Sequence, residues 1–152
     1  MSFHLKSPAF EHDQPIPKAH AQEGANSSPP LVWDDVPEGT KSLVLVVEDH
    51  DAPIGTVTHW VVFDIDPGLR ELPEGLGADQ ARQGLNDMGH ANYDGPKPPK
   101  GHGPHRYHFR LAALDVASLD FSGEPASNDV KKAARGHVLA EIELIGTYET
   151  RW

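Results

Sequence analysis

Two short stretches hold the residue types that can do chemistry. One is Asp49-His50-Asp51-Ala52-Pro53 running on to His59-Trp60, and the other is Asn92-Tyr93-Asp94-Gly95-Pro96-Lys97-Pro98-Pro99 running on to His105-Arg106-Tyr107. Each sets carboxylates, imidazoles and stiff Pro/Gly backbone beside a strand-like apolar run, which is how a small preformed polar pocket is built on the rim of a sheet. No other part of the chain concentrates so many groups able to hold a small anion. His59 is flanked by Val57, Trp60 and Val61, so its imidazole is expected to be partly buried and to need partners for both ring nitrogens. Asp49 or Asp51 is expected to accept one N–H and fix the tautomer, leaving the other nitrogen for the pocket. Taken alone, the same residues also fit a capped β-turn with a core histidine behind it.

The second stretch shifts that balance. With Pro96, Pro98 and Pro99, the segment 95–101 cannot be helix or central strand and reads as a stiff, extended loop. Gly95 would let a ligand come close to main-chain N–H groups. His105 and Tyr107, two apart on one strand, bring an N–H and an O–H to the same rim. The plainer readings are a rigid solvent loop or a proline-rich ligand for another domain, and a histidine that merely closes a strand. Two independent segments with complementary groups favour one shared pocket.

These groups need a β framework to carry them. Fourteen Gly and fourteen Pro in 152 residues punctuate the chain into short elements, as in a β-rich domain. Ser42 to Glu48 reads as a strand buried on both faces, because its β-branched residues run without polar alternation. Thr56 to Ile65 reads as a second strand, with Val57, His59, Val61 and Phe63 on one face and Thr58, Trp60, Val62 and Asp64 on the other. Arg106 to Leu114 is a third, with Tyr107, Phe109, Leu111 and Ala113 on one side. Ser127 or Asn128 caps a short helix with a Val130, Ala133 and Ala134 stripe and a stop at Gly136. Glu141 to Tyr148 returns as a strand, or as helix through Ile142. The first thirty residues, interrupted by Pro15 and Pro17, are expected to wrap the surface irregularly.

Composition removes several function classes. The chain has no cysteine, which excludes disulfides, thiolate zinc sites and a cysteine nucleophile and fits a reducing compartment. With 13 basic against 23 acidic residues, the formal charge of -10 repels nucleic acid and anionic bilayers. The N-terminus shows no signal-peptide pattern, and the longest apolar run, Leu43 to Val47, is far short of the roughly 20 residues of a membrane helix. The reading is one domain over 1–152, retained in the cytoplasm, with no nucleic-acid partner and no transmembrane segment. His4, His12, His20, His90, His102 and His108 read as ordinary surface residues.

In their order, Asp49-His50-Asp51-Ala52-Pro53, His59-Trp60-Val61-Val62, Gly95-Pro96-Lys97-Pro98-Pro99-Lys100-Gly101 and His105-Arg106-Tyr107 resemble the phosphatidylethanolamine-binding protein family, in its bacterial and archaeal, Raf-kinase-inhibitor-like branch. Asn26 to Trp33, Gly39 to Leu43 and the segment from His137 to Tyr148 resemble the opening and close of that family, so the likeness covers nearly the whole chain. The resemblance implies an antiparallel β-sandwich with one or two short peripheral helices, one of them near the C-terminus. It also implies an anion pocket made by Asp49, Asp51, His59, Gly95, Pro96, His105 and Tyr107, with no cofactor and no metal. His50 stands where the family usually has proline, so the turn loses a ring and gains a titratable group near the pocket mouth, which would raise anion affinity at low pH.

The function that follows is binding of a phosphate-bearing ligand: a phospholipid head group, a nucleotide or a phosphorylated partner. The resemblance also implies inhibition of kinases or proteases. A second reading is a hydrolase that uses the Asp/His pocket with or without a divalent metal, but no helical His pair or nucleophile elbow supports it. A third is a homodimer face made by Leu31, Trp33 and the Tyr148–Trp152 region, against which Trp33 as a core residue is the alternative.

Overall fold

The computed structural model describes residues 2–150. Along the chain lie β1 (His4–Lys6), β2 (Gln14–Pro15), β3 (Leu31–Asp34), β4 (Ser42–Asp49), β5 (Val57–Ile65), β6 (Glu71–Leu72), β7 (Arg82–Gln83), β8 (His105–Leu114), α1 (Ser127–Ala134) and β9 (Val138–Tyr148). Six strands form the main sheet in the order β2-β9-β8-β4-β5-β7, and β1-β3-β6 form a small second sheet. The long pairings are antiparallel, and the two-residue β2 runs parallel to its neighbour β9. The fold is therefore the expected mainly β sandwich with a short helix near the C-terminus.

The small sheet was not foreseen. The first thirty residues contribute β1, β2 and a 3-10 turn at Lys18–His20, rather than irregular chain alone. Leu5, Leu31, Trp33 and Leu72 from the small sheet pack with Leu43, Leu45, Val47, Trp60, Phe109 and Leu111 of the large one. Leu31 and Trp33 are buried in that core, so of the two readings of Trp33 the core one is observed. Tyr148 is buried as well; residues 151 and 152 of the expected dimer face lie outside the described residues. On the opposite face of the main sheet, Val130 and Ala134 of α1 cover Val44, Val61, Phe63 and Ala112.

Helix α1 begins after Ala126, without the side-chain cap expected from Ser127 or Asn128; the Ser127 hydroxyl instead faces Asp87. It stops at Gly136, whose φ of 93° is the left-handed conformation a chain-reversing glycine supplies. Strand β9 starts at Val138, which removes the helical alternative for that stretch. No helix among the described residues is long and apolar enough to cross a membrane.

One irregularity decides where His59 points. Between β4 and β5, Val47 pairs with Trp60 and Glu48 with Thr58, so His59 is an extra residue in a β-bulge. The strict alternation expected for β5 fails there. Thr58 turns to the α1 face, where Lys131 Nζ donates to its hydroxyl. His59 turns instead to the inner face, edge-on to Tyr107 with ring centroids 5.3 Å apart. A strand without the bulge would have put His59 beside Val61, under the helix.

Candidate functional site

Strand register assembles the first half of the site. Asp49 at the end of β4 pairs with Tyr107 in β8, so Asp49, His105 and Tyr107 share the inner face. His105 Nδ1 lies 2.8 Å from Asp49 Oδ2, and both side chains are almost fully buried. The carboxylate's other oxygen accepts the Asp51 N–H at 2.8 Å, closing the turn on itself. Asp51 accepts the Arg106 N–H at 2.8 Å and pairs with the Arg106 guanidinium at 3.5 Å. That backbone N–H leads the influences on Asp51; partial burial works against it, and the Arg106 side chain helps to hold the carboxyl below its usual range. The expected aspartate partner for an imidazole is thus real, but the imidazole is His105, not His59.

The loop 86–96 positions the second half. His59 Nδ1 donates to the Asp94 carbonyl at 2.8 Å, because a carbonyl oxygen can only accept. The Asp94 carboxylate accepts from Asn86 at 2.8 Å, His90 at 2.6 Å and Asn26 at 3.3 Å. Burial raises the Asp94 pKa, but these bonds outweigh it and the net shift is downward. Tyr93 donates its hydroxyl to the His20 carbonyl at 2.6 Å and packs edge-on against Trp60. His20 is itself buried, with Nδ1 2.8 Å from the Ser27 carbonyl. It is therefore a structural residue and not the surface histidine expected.

Gly95 and Pro96 are buried at the centre of this arrangement. The Gly95 N–H donates to Asn26 Oδ1 at 2.7 Å, and its carbonyl accepts from Gln22 Nε2 at 3.0 Å. Its N–H is therefore already engaged. A Cβ here would collide with the His20 carbonyl oxygen, so glycine is required for the close approach of two backbone segments. Pro96 accepts the Gln22 N–H at 3.0 Å.

Tyr107 is buried, and its hydroxyl has no hydrogen-bond partner among the described residues. Asp49 and the Lys97 N–H are near it without making a bond of good geometry. Burial first, and the Asp49 charge second, push this phenol well above its ordinary range, so it remains a neutral donor. His102 folds over the group from outside, its Nδ1 3.4 Å from His105 Nε2.

His50 does not join them. Its ring stacks on His108 with centroids 4.3 Å apart and lies 3.3 Å from Glu48 Oε1, on the sheet face opposite Asp49. The titratable group expected near the pocket mouth is turned away from it. The structure thus brings Asp49, Asp51, His105 and Tyr107 to one sheet end and sets His59, Gly95 and Pro96 beside them. Sequence reasoning missed the supporting Asn26, Asn86 and the Asp94 carboxylate. Asn26 carries the one visible signal, a polar residue before Ser-Ser-Pro-Pro, and it adopts a left-handed φ of 56°. Among the described residues, no group of three or more His, Asp or Glu side chains converges as a metal site.

With this geometry in hand, the known proteins it resembles are informative. Residues 6–149 match the model of the family described as phosphatidylethanolamine-binding protein. A UPF0098 protein of Aquifex aeolicus is 46% identical over 147 residues, covering 94% of this chain and 86% of the relative. A crystal structure described as a phosphatidylethanolamine-binding protein homolog from Chlamydia trachomatis superposes with a TM-score of 0.90 at 41% identity, covering 98% of both chains. The crystal structure of YbcL from E. coli, described as a new member of the mammalian PEBP family, gives 0.93 at 32% identity, covering 99% of this chain and 100% of that one. The chain belongs to the phosphatidylethanolamine-binding protein family, in its bacterial and archaeal branch.

Proposed function

We propose that the chain is a binding module for a small phosphate-type anion, held at the site made by Asp49, Asp51, His59, Gly95, Pro96, His105 and Tyr107. The observation that carries this reading is the way both imidazoles are tied. His105 gives Nδ1 to Asp49 and His59 gives Nδ1 to the Asp94 carbonyl, which fixes both tautomers and turns Nε2 of each ring away from these partners, that of His105 towards His102 Nδ1 at 3.4 Å, a contact that a guest would replace. The Tyr107 O–H, without a hydrogen-bond partner among the described residues, supplies a third group; a buried hydroxyl without an acceptor is costly unless a ligand completes it. Asp49, Asp51, Gly95 and Pro96 act mainly by building the walls.

This arrangement explains how an anion tolerates a neighbouring carboxylate. With Nδ1–H fixed, a neutral imidazole offers only a lone pair at Nε2, so the guest must bring a proton or the ring must take one up. A phosphate monoester does the first and an imidazolium the second. The ligand class is a terminal phosphate on a lipid head group, a nucleotide or a phosphorylated side chain. A kinase or protease partner would be engaged through the same chemistry. The cysteine-free composition fits a reducing compartment, and the reading places the protein in the cytoplasm.

The test is calorimetric titration with inorganic phosphate in the presence of EDTA, from about pH 8 to about pH 6, the range in which histidine titrates. Uptake of one proton predicts at least about tenfold tighter binding at the acid end, since a tenfold change corresponds to about 1.4 kcal/mol. Replacing His105 by alanine weakens binding by ~1–3 kcal/mol. An affinity that stays flat across the window, or no binding at all, overturns the proposal.

A further inference from the structure

We propose that Lys131, on the far face of the main sheet, is a positioning residue for the pocket. By tying Glu48 to Thr58 it holds the bulge that turns His59 inward and so, on the anion reading above, sets phosphate affinity.

Two pairings compete at the end of β4. Val47 pairs with Trp60, and strict continuation would set His59 opposite Glu48 and Thr58 opposite Asp49. Directly opposed residues share a face, and a one-residue slip moves the following side chains to the other face. In that register the imidazole would lie beside the Glu48 carboxylate on the α1 face, away from Tyr107. A carboxylate is a good partner for an imidazole, so the hydrophobic pattern alone does not choose between the two. The observed pairing is Glu48 with Thr58 and Asp49 with Val57.

Lys131 makes the choice. Its Nζ lies 2.6 Å from Glu48 Oε2 and 2.6 Å from Thr58 Oγ1, so one ammonium bridges the two residues that the bulge sets opposite each other. In the slipped register Thr58 would point to the inner face and this bond would be lost. Glu48 and Thr58 are buried, and the Lys131 side chain is only 25% exposed, where charge-assisted hydrogen bonds are strong. Arg110 also holds Glu48, at 2.9 Å, but its other hydrogen bonds go to Glu141. The bridge from β4 to β5 therefore belongs to Lys131.

Thr58 carries the grip on to the pocket. Its N–H donates to Asp87 Oδ2 at 2.7 Å, and its carbonyl accepts the Asp87 N–H at 3.0 Å. The neighbouring Asn86 donates its side-chain amide to the His59 carbonyl at 3.1 Å. The same loop supplies the Asp94 carbonyl that takes His59 Nδ1. Thr58, loop and imidazole thus form one connected unit, anchored to α1 at Lys131. The Ser127 hydroxyl, one helical turn earlier, stands 3.4 Å from Asp87 Oδ1.

The experiment reads His59 directly, in Lys131→Met, Thr58→Val and Thr58→Ser. Valine keeps the shape of Thr58 without its hydroxyl, and serine keeps the hydroxyl. The nuclear Overhauser contact between the His59 and Tyr107 rings, whose centroids are 5.3 Å apart, should weaken in Lys131→Met and Thr58→Val and persist in Thr58→Ser. Inorganic phosphate, titrated in EDTA, should bind at least about threefold more weakly in the first two, since apparent affinity falls with the competent fraction. In a His59→Ala background, Lys131→Met should add no further loss, because both changes act through one group. An unchanged His59–Tyr107 contact in Thr58→Val and Lys131→Met overturns the inference and reduces Lys131 to an ordinary buried ion pair; so does a further affinity loss in the His59→Ala background. Thr58→Val keeps the Lys131–Glu48 pair, so it decides the matter if Lys131→Met does not fold. Absence of phosphate binding, with the ring contact responding as expected, would sink the anion reading and leave the positioning role standing.

Discussion

Replacing Asp49 by asparagine isolates the proton logic of the site. One carboxylate oxygen accepts the Asp51 N–H at 2.8 Å, and the other accepts from His105 Nδ1 at 2.8 Å. An amide has one acceptor and one donor end. Turning its NH2 towards the Asp51 N–H would set donor against donor, so the amide oxygen stays there and the NH2 faces His105. His105 must then present a lone pair at Nδ1, which moves its proton to Nε2. Its pocket-facing nitrogen changes from acceptor to donor without a change in shape. In the unmodified protein a protonated His105 donates to a carboxylate, and a hydrogen bond to a charged group is worth about 1.5–3 kcal/mol. The variant therefore loses roughly ten- to a hundredfold in phosphate affinity near pH 6 and much less near pH 8, so its pH dependence flattens. Long-range proton–nitrogen NMR reports the tautomer and calorimetry reports the affinity. An unchanged tautomer, or an equal loss at both pH values, would refute the reasoning.

Three further outcomes follow from the same geometry. Tyr107→Phe removes a buried hydroxyl that has no hydrogen-bond partner among the described residues, so urea unfolding should change by less than about 0.5 kcal/mol while phosphate affinity falls by about 1 kcal/mol; a stability loss without an affinity loss would contradict it. Gly95→Ala places a methyl group against the His20 carbonyl oxygen, a backbone atom with little room to yield, and should cost about 1–3 kcal/mol in urea unfolding. Glu48 is buried; burial raises its pKa, but Lys131 at 2.6 Å, His50 and Arg110 overcome this and lower it from 4.5 to about 2. A lowered folded-state value gives stability that is fully present above about pH 4.5 and lost as pH falls through about 2. Glu48→Gln should flatten acid unfolding across that window, removing up to about 3 kcal/mol; an unchanged acid transition would contradict the assignment.

The sequence was most legible where side-chain periodicity was clean. Tyr107, Phe109, Leu111 and Ala113 alternate without interruption, and β8 lies one residue from its expected start. The small sheet was invisible because β1 and β6 are three and two residues long, too short for any period to register. His59 was placed on the wrong face because a bulge carries no signature in a hydrophobic pattern; its cause is the pairing of β5 with β4. The same holds for the pairing of Asp49 with His105, 56 positions apart, which only strand register can bring together. Gly95 was read as making room for a ligand, whereas the nearest constraint is the passing N-terminal backbone. His20 is buried by that same passage, so its polar local sequence gave no warning.

The most direct measurement is a crystal soaked in arsenate, a heavier phosphate analogue, with the anomalous signal of arsenic marking where the anion sits. The account predicts a peak within hydrogen-bonding range of His105 Nε2, His59 Nε2 and the Tyr107 hydroxyl, stronger in crystals at acid pH. A peak on the stacked His50–His108 face, or none near His105 at full soaking, would contradict it.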